Sequence, residues 1–275
     1  MKKKNIYFIL SDENLFHPYY FLGVLKNLPR EKYKVIGITV LKETYSKGFL
    51  YFLYQQYSLW GFVGFMTIAS MSVVTTILNK LRVPGYYSIE SIAHTYNISF
   101  TERYNVNDAT HLAHIKSLHP DIIVSSCGQI FKDELLHLPT IACINRHTAL
   151  LPKYGGVLPV FWAMYHEERE FGVSIHYMTP KVDQGNIIAQ KKIEIERKSS
   201  LFKNYIIGFQ ESVGTTLKAL SNMEQKKIIG TFRKNSRAYF SFPDQKTLSS
   251  FRKRFVTFSP ADIFFHRKLL SIKVN

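Results

Sequence analysis

The stretch HPDIIVSSCGQIFKDELLHLPTIACINRH, His119–His147, sets the architecture. It holds two short apolar runs, Asp121–Ser125 (DIIVS) and Ile141–Asn145, each ending in polar residues. Runs that are apolar throughout, rather than alternating, suit strands covered on both faces, as in a parallel sheet. His119-Pro120 stops a helix that Asn107 or Asp108 can cap and that runs to about Leu118. Upstream, Asn5–Leu10 and Lys34–Leu41 read as strands, with a helix opening at Pro18 and covering Tyr19–Leu28. Ser88–Tyr96 is helical in pattern and Ile98–Thr101 extended. Downstream come a helix near Pro159–Tyr165, strands Gly172–Met178 and Ile187–Ile195, and a long helix over Ser200–Leu220. Strands alternating with helices predict an α/β fold whose mostly parallel sheet is flanked by helices. No internal repeat is present.

The 275 residues allow one large domain or a domain with appendages. A formal charge of +16 favours anionic partners: nucleic acid, anionic lipid or phosphorylated small molecules. Cys127 and Cys143 are the only cysteines, so no disulfide framework is expected and a reducing cytoplasm is the simpler setting. No secretory signal is apparent, because the apolar run after Lys2–Lys4 soon meets Asp12 and Glu13. The sequence has no P-loop, no G-x-G-x-x-G, no C-x-x-C and no H-x-x-x-H. Nucleotide hydrolysis, dinucleotide redox chemistry and a metal centre therefore lose support.

One segment departs from the alternation. From Gly48 to Asn79 no residue is charged, and Lys42, Lys47, Lys80 and Arg82 bracket the run. Its length passes that of a membrane helix. Three readings are open: buried crossover helices packed on the sheet, an interfacial anchor on anionic lipid through residues 48–80, or a span. A span would put the flanking strands on opposite sides of a bilayer.

Asn145 and His147 stand two apart at a strand end, so their side chains share a face. At the carboxyl edge of a parallel sheet that face borders the crevice where such sheets bind ligands. An amide and an imidazole N–H can together hold a developing oxyanion, and losing one such donor costs about 2.7–4 kcal/mol. The imidazole also moves protons near neutral pH. Asp183, in KVDQGNIIAQ (Lys181–Gln190), could orient that imidazole and relay a proton through water. A structural strand cap and a plain Asp-x-Gly turn remain the alternatives.

INRHTALLPKYGGVLPVFWAM and FGVSIHYMTPKVDQGNIIAQ together resemble the catalytic core of the formyltransferases that use N10-formyltetrahydrofolate. The parts are Asn-x-His, then an LLP-x-x-x-G run, a G-V-S-x-H strand, and Asp-x-G before a strand ending in Gln. The resemblance covers roughly Asn5–Leu220. It implies a Rossmann-like formyltransferase fold with a catalytic domain over 1–222, carrying an apolar insertion at 44–85, and a basic C-terminal extension over 223–275. It also implies that Asn145, His147 and Asp183 are the catalytic triad for attack of a substrate amine on the formyl carbon. Ser126, Cys127, Gly128, Gln129, Ile130 and Phe131 match the loop whose backbone grips the pterin. Thr179, Pro180, Lys181 and Val182 match the loop that closes over it. Cys127 reads as a small buried thiol rather than a nucleophile.

Two departures bear on the acceptor. Gly155 stands where relatives often have arginine in LLPxxRG. The loop after the first strand, Ser11–His17, lacks a glycine-rich phosphate cradle and carries Asp12 and Glu13, which could attract a substrate ammonium. With Lys153, Tyr154, Gly155, Gly156 and Pro159 these are the candidate acceptor contacts. The implied acceptor is a small anionic amine, by preference an amino sugar on a nucleotide diphosphate or lipid phosphate. A tRNA acceptor is disfavoured, since about fifty residues follow the long helix, too few for the β-barrel of the tRNA-specific relatives. A formyltetrahydrofolate hydrolase and a non-catalytic, membrane-peripheral binding module are the rival functions. Acceptor identity and oligomeric state are not encoded legibly.

Overall fold

A computed structural model describes residues 2–42, 47–83, 85–196, 198–231 and 239–264. The basic segments FRKNSR (232–237) and FHRKLL (265–270), part of the expected basic extension, lie outside the described residues.

The chain opens with β1 (Lys4–Ser11), α1 (His17–Asn27), β2 (Tyr33–Leu41), α2 (Phe49–Lys80), α3 (Ile89–Thr95) and β3 (Ser99–Arg103). There follow α4 (Ala109–Ser117), β4 (Ile122–Ser126), the single turn α5 (Asp133–Leu136) and β5 (Ala142–His147). Then come β6 (Gly155–Gly156), α6 (Pro159–Tyr165), β7 (Glu170–Tyr177), β8 (Ile187–Glu194), α7 (Leu201–Glu224), β9 (Tyr239–Phe240) and α8 (Gln245–Arg254). Seven strands make one sheet in the order β3-β2-β1-β4-β5-β7-β8. The pairs from β3 to β5 are parallel; β7 and β8 join antiparallel. The fold is therefore α/β with a mostly parallel sheet, as the alternation of elements predicts.

Local chemistry accounts for the helix starts. Asp108 caps α4 by accepting from the N–H groups of Thr110 and His111, and Ser88 and Ser91 form a reciprocal capping box at α3. On one face, Phe8 packs edge-on to Phe21 of α1, and Leu201, Phe202 and Ile206 of α7 are buried in the same core. On the other, Ile9, Ile123 and Cys143 meet Leu112 and Ile115 of α4 and Leu135 of α5. Burial on both faces explains the uniformly apolar reading of β1 and β4.

Described residues of the 223–275 extension share the main core. β9 pairs with β6, Phe251 of α8 stacks on Phe161 at 4.4 Å, and Leu248 is fully buried. Asp262 accepts from the Ser200 hydroxyl at 2.6 Å.

Helix α2 corrects the buried-crossover reading. Gly61 breaks it with φ 70°, and only Ser58, Leu59, Trp60 and Gly64 are buried. Its inner side seats Ile68 and Met71 against the core, and a Cβ on Gly64 would lie 2.9 Å from Phe258. Its outer side presents Phe62, Val63, Met66, Val73, Val74, Ile77 and Leu81 to solvent, with Phe62 67% and Leu81 68% exposed. These positions recur at helical spacing and form one apolar stripe. A run without charges reads the same whether a helix is swallowed by the core or laid on its surface.

Candidate active site

The strand order reverses direction between β1 and β4, and a crevice opens at the carboxyl ends of strands flanking such a point. A cavity of about 410 Å3 lies there. Ser11 ends β1, Ser126 ends β4, and Asn145, Arg146 and His147 end β5; all line it. The loops 127–131 and 178–183 wall the opening.

Asn145, His147 and Asp183 converge in this cavity. Asp183 Oδ2 lies 3.9 Å from His147 Nε2, and Oδ1 lies 3.6 Å from Nε2 of His176. The backbone N–H of Gly156 donates to Asp183 Oδ2 at 2.9 Å, which ties the two loops together. Asp183 holds a left-handed backbone with φ 54°, a conformation that non-glycine residues keep only where the surroundings impose it. His147 Nε2 is 3.0 Å from the Tyr154 carbonyl; a carbonyl only accepts, so Nε2 carries the proton. Nδ1 meets no partner among the described residues.

His176, the histidine of GVSIHYM, has no role in the sequence reading, yet it stands at the centre of the site. It faces Asn145 across the β5–β7 pair. Its Nδ1 donates to the Tyr177 carbonyl at 2.9 Å, and Nε2 lies 3.3 Å from Asn145 Nδ2. Burial pushes its pKa below the usual imidazole value, against the opposing pull of Asp183. A neutral imidazole with the proton on Nδ1 offers its Nε2 lone pair to the amide of Asn145. That fixes which way the amide points: one N–H is held, and among the described residues the second meets no acceptor and the buried Oδ1 atom no partner.

Of the expected cofactor contacts, Ser126, Cys127, Gly128, Gln129, Ile130, Phe131, Thr179, Lys181 and Val182 line the cavity; Pro180 does not. Gln129 spends its side chain on the scaffold, accepting from Val106 N–H and donating to the Tyr104 carbonyl, both at 2.8 Å. Burial raises the Cys127 thiol above its ordinary pKa and pushes Cys143 up to about 12, which suits packing rather than nucleophilic chemistry. Among the expected acceptor contacts, Gly156 and Pro159 line the cavity, whereas Lys153, Tyr154 and Gly155 do not. Tyr154 contributes its carbonyl to His147, and its hydroxyl donates to Glu168 at 2.9 Å.

Asp12 and Glu13 are committed elsewhere, which corrects the idea that they face an incoming ammonium. Asp12 pairs with Lys42 at 3.0 Å, outside the main cavity. The Glu13 carboxylate accepts from the backbone N–H groups of Leu15, Phe16 and His17 at the entry to α1 and lies 3.3 Å from His17 Nδ1. Arg146, His17, Tyr205, Phe209 and Tyr239 also line the cavity and carry no signal in the sequence reading.

A model of the formyl transferase family matches residues 66–204, just over half of the chain. The methionyl-tRNA formyltransferase of Lysinibacillus sphaericus (strain C3-41) is 49% identical over 86 residues, 31% of this chain and 28% of its own length. That of Staphylococcus epidermidis (strain ATCC 12228 / FDA PCI 1200) is 33% identical over 143 residues, 50% of this chain and 46% of its own. The matched region thus spans less than half the length of these curated relatives. Among solved structures, the N-formyltransferase of Helicobacter canadensis in complex with folinic acid and dTDP-3-aminofucose shares the fold, with a TM-score of 0.55 and 17% identity. That superposition covers 94% of this chain and 81% of the other. The family model, the order of the sequence motifs and the sheet that carries them agree: the chain belongs to the formyl transferase family.

Proposed function

We propose that the protein transfers a formyl group from N10-formyltetrahydrofolate to a primary amine of a small anionic acceptor, an amino sugar linked to a nucleotide diphosphate or a lipid phosphate. The observation that carries this reading is the convergence of Asn145, His147 and Asp183 in one cavity at the strand ends. The folate supplies an activated formyl carbon. Its ring system suits a slot between two loops where Ile130, Phe131, Met178 and Val182 provide apolar walls and the backbone provides the polar groups. The second N–H of Asn145 and, once His147 is protonated, its Nδ1–H can hold negative charge developing on the transferring oxygen. The unpartnered Oδ1 of Asn145 is a ready acceptor for an N–H of the incoming amine. Asp183 orients His147 and stabilises its cationic form while a proton passes from the amine towards the leaving nitrogen.

The assay follows tetrahydrofolate release from N10-formyltetrahydrofolate. The acceptors are amino sugars on nucleotide diphosphates and on polyprenyl phosphates, initiator methionyl-tRNA, or none. Release that depends on an amino sugar is the expected result. Release without acceptor indicates the hydrolase, release only with tRNA assigns the acceptor of the sequence relatives, and no release in any arm leaves a binding module.

The reading extends to a cytoplasmic enzyme docked on an anionic membrane through residues 48–80. The exposed stripe of α2 lacks charges, while Lys47, Lys80 and Arg82 stand at its ends, a distribution that complements acidic headgroups over an apolar interior. The seated inner face of α2 favours lying on the bilayer over crossing it. Flotation with phosphatidylglycerol vesicles should carry the protein to the lipid fraction, and a Phe62→Glu, Val73→Glu, Ile77→Glu variant should stay in solution. Equal partitioning of both, or dimerisation that the triple change abolishes without any lipid binding, removes the membrane from the reading.

A further inference from the structure

Arg146 sits between the catalytic Asn145 and His147, yet its side chain emerges on the opposite face of β5, beneath α1 and α7. It is 8% exposed and lines the cavity together with Ser11, His17, Ser126 and Thr148. Its guanidinium lies 3.9 Å from the Phe209 ring centroid and 5.6 Å from that of Tyr20. Nε donates to Ser126 Oγ at 2.9 Å and one terminal nitrogen to Ser212 Oγ at 3.1 Å. A guanidinium has five N–H donors, so the described residues leave most of this fork unspent. Among those residues no carboxylate forms an ion pair with it, and Glu13 acts on it only at longer range. Burial lowers its pKa to about 10, which still leaves it cationic at neutral pH.

A buried cation without a counter-ion is costly, and proteins keep one where a ligand supplies the missing charge. We propose that Arg146 is the floor of a phosphate subsite that anchors the acceptor. The planar fork matches two phosphate oxygens, the Ser11 hydroxyl and the His17 imidazole stand in the same wall, and the aromatic rings hold the guanidinium in place. The nearest backbone alternative is mostly spent: of the N–H groups entering α1, those of Phe16 and His17 are taken by Glu13, and Pro18 has none. The anion and the catalytic pair then occupy opposite sides of one strand end. A small molecule that bends around the end of β5 reaches both, with its phosphate on Arg146 and its amine at Asn145 and His147. The identity of the acceptor rests on the formyl-transfer reading; binding of phosphate does not.

Thermal unfolding of the whole chain is measured against sodium pyrophosphate, inorganic phosphate and acetate at matched ionic strength, for the wild type, Arg146→Lys and Arg146→Met. Pyrophosphate or phosphate should raise the wild-type Tm in step with the logarithm of its excess over Kd, by about 4 °C at a hundredfold excess. The rise should need at least tenfold more ligand in R146K and vanish in R146M, and acetate should give none. Without ligand, R146M should melt no lower than wild type, because replacing a desolvated charge by an apolar chain relieves its penalty. Ser126 keeps His17 Nε2 at 3.0 Å, and Ser212 keeps the Gly208 carbonyl at 2.7 Å. A wild type indifferent to both phosphates, an equal response in R146M, or an equal response to acetate overturns the proposal. So does an R146M that melts several degrees lower unliganded, which would make Arg146 a strut. A phosphate response in a protein that transfers no formyl group leaves the subsite standing and overturns the function instead.

Discussion

Asp183→Asn and His147→Ala are each expected to lower kcat for formyl transfer about a thousandfold while leaving Tm and folinic acid binding close to wild type. The size follows from the range of general acid–base catalysis, about 10^2 to 10^4, with part of the oxyanion stabilisation lost in the histidine variant. The amide oxygen introduced by Asp183→Asn could still accept from the Gly156 N–H, so the turn keeps its tether. The variant would lose the charge that stabilises a cationic His147, and its amide N–H would take the Oδ1 position, beside Nε2 of His176 rather than His147. Because the two side chains act as one unit, the double variant should be no slower than the slower single one by more than a few-fold. Steady-state kinetics with saturating folate, beside a folinic acid titration, provide the check. Wild-type turnover in either variant removes the proposed chemistry.

The sheet is legible in the sequence because the strands of a two-sided sheet are apolar throughout and the helices between them have local caps. Asp121–Ser125 is expected and Ile122–Ser126 is observed; Pro159–Tyr165 coincides with α6. Elements held by distant partners are not legible: β6 and β9 are two residues each and exist only because they pair with one another. At the site, Asn145, His147 and Asp183 are readable from their spacing and from the resemblance. Following the shared face of 145 and 147 passes over Arg146, whose meaning depends on α1 and α7 folding over it. Asp12 and Glu13 are misplaced for the same reason. A carboxylate in a loop announces charge, but only the fold shows that Lys42 and the first turn of α1 already satisfy it.

The second large effect is expected from a methyl group that touches no reacting atom. A Cβ on Gly185 would lie 1.7 Å from the Tyr177 carbonyl oxygen and 2.7 Å from its carbonyl carbon. No rotamer relieves that contact, since both partners are backbone. Gly185→Ala must therefore lift the 183–186 turn from the end of β7, where the Tyr177 N–H donates to the Asn186 carbonyl at 3.0 Å. Asp183 rides on this turn, and a shift of about 1 Å in a catalytic group costs roughly a hundredfold in rate. The variant should lose about that much in kcat and about 1–3 kcal/mol in stability by urea unfolding. Gly214→Ala supplies the contrast. Its position in α7 is exposed with open space around it, so alanine there should stabilise by about 0.5–1 kcal/mol through helix propensity and leave kinetics unchanged. A Gly185→Ala enzyme within twofold of wild type would show that the turn tolerates displacement, and that Asp183 does not owe its placement to the close approach of this glycine to β7.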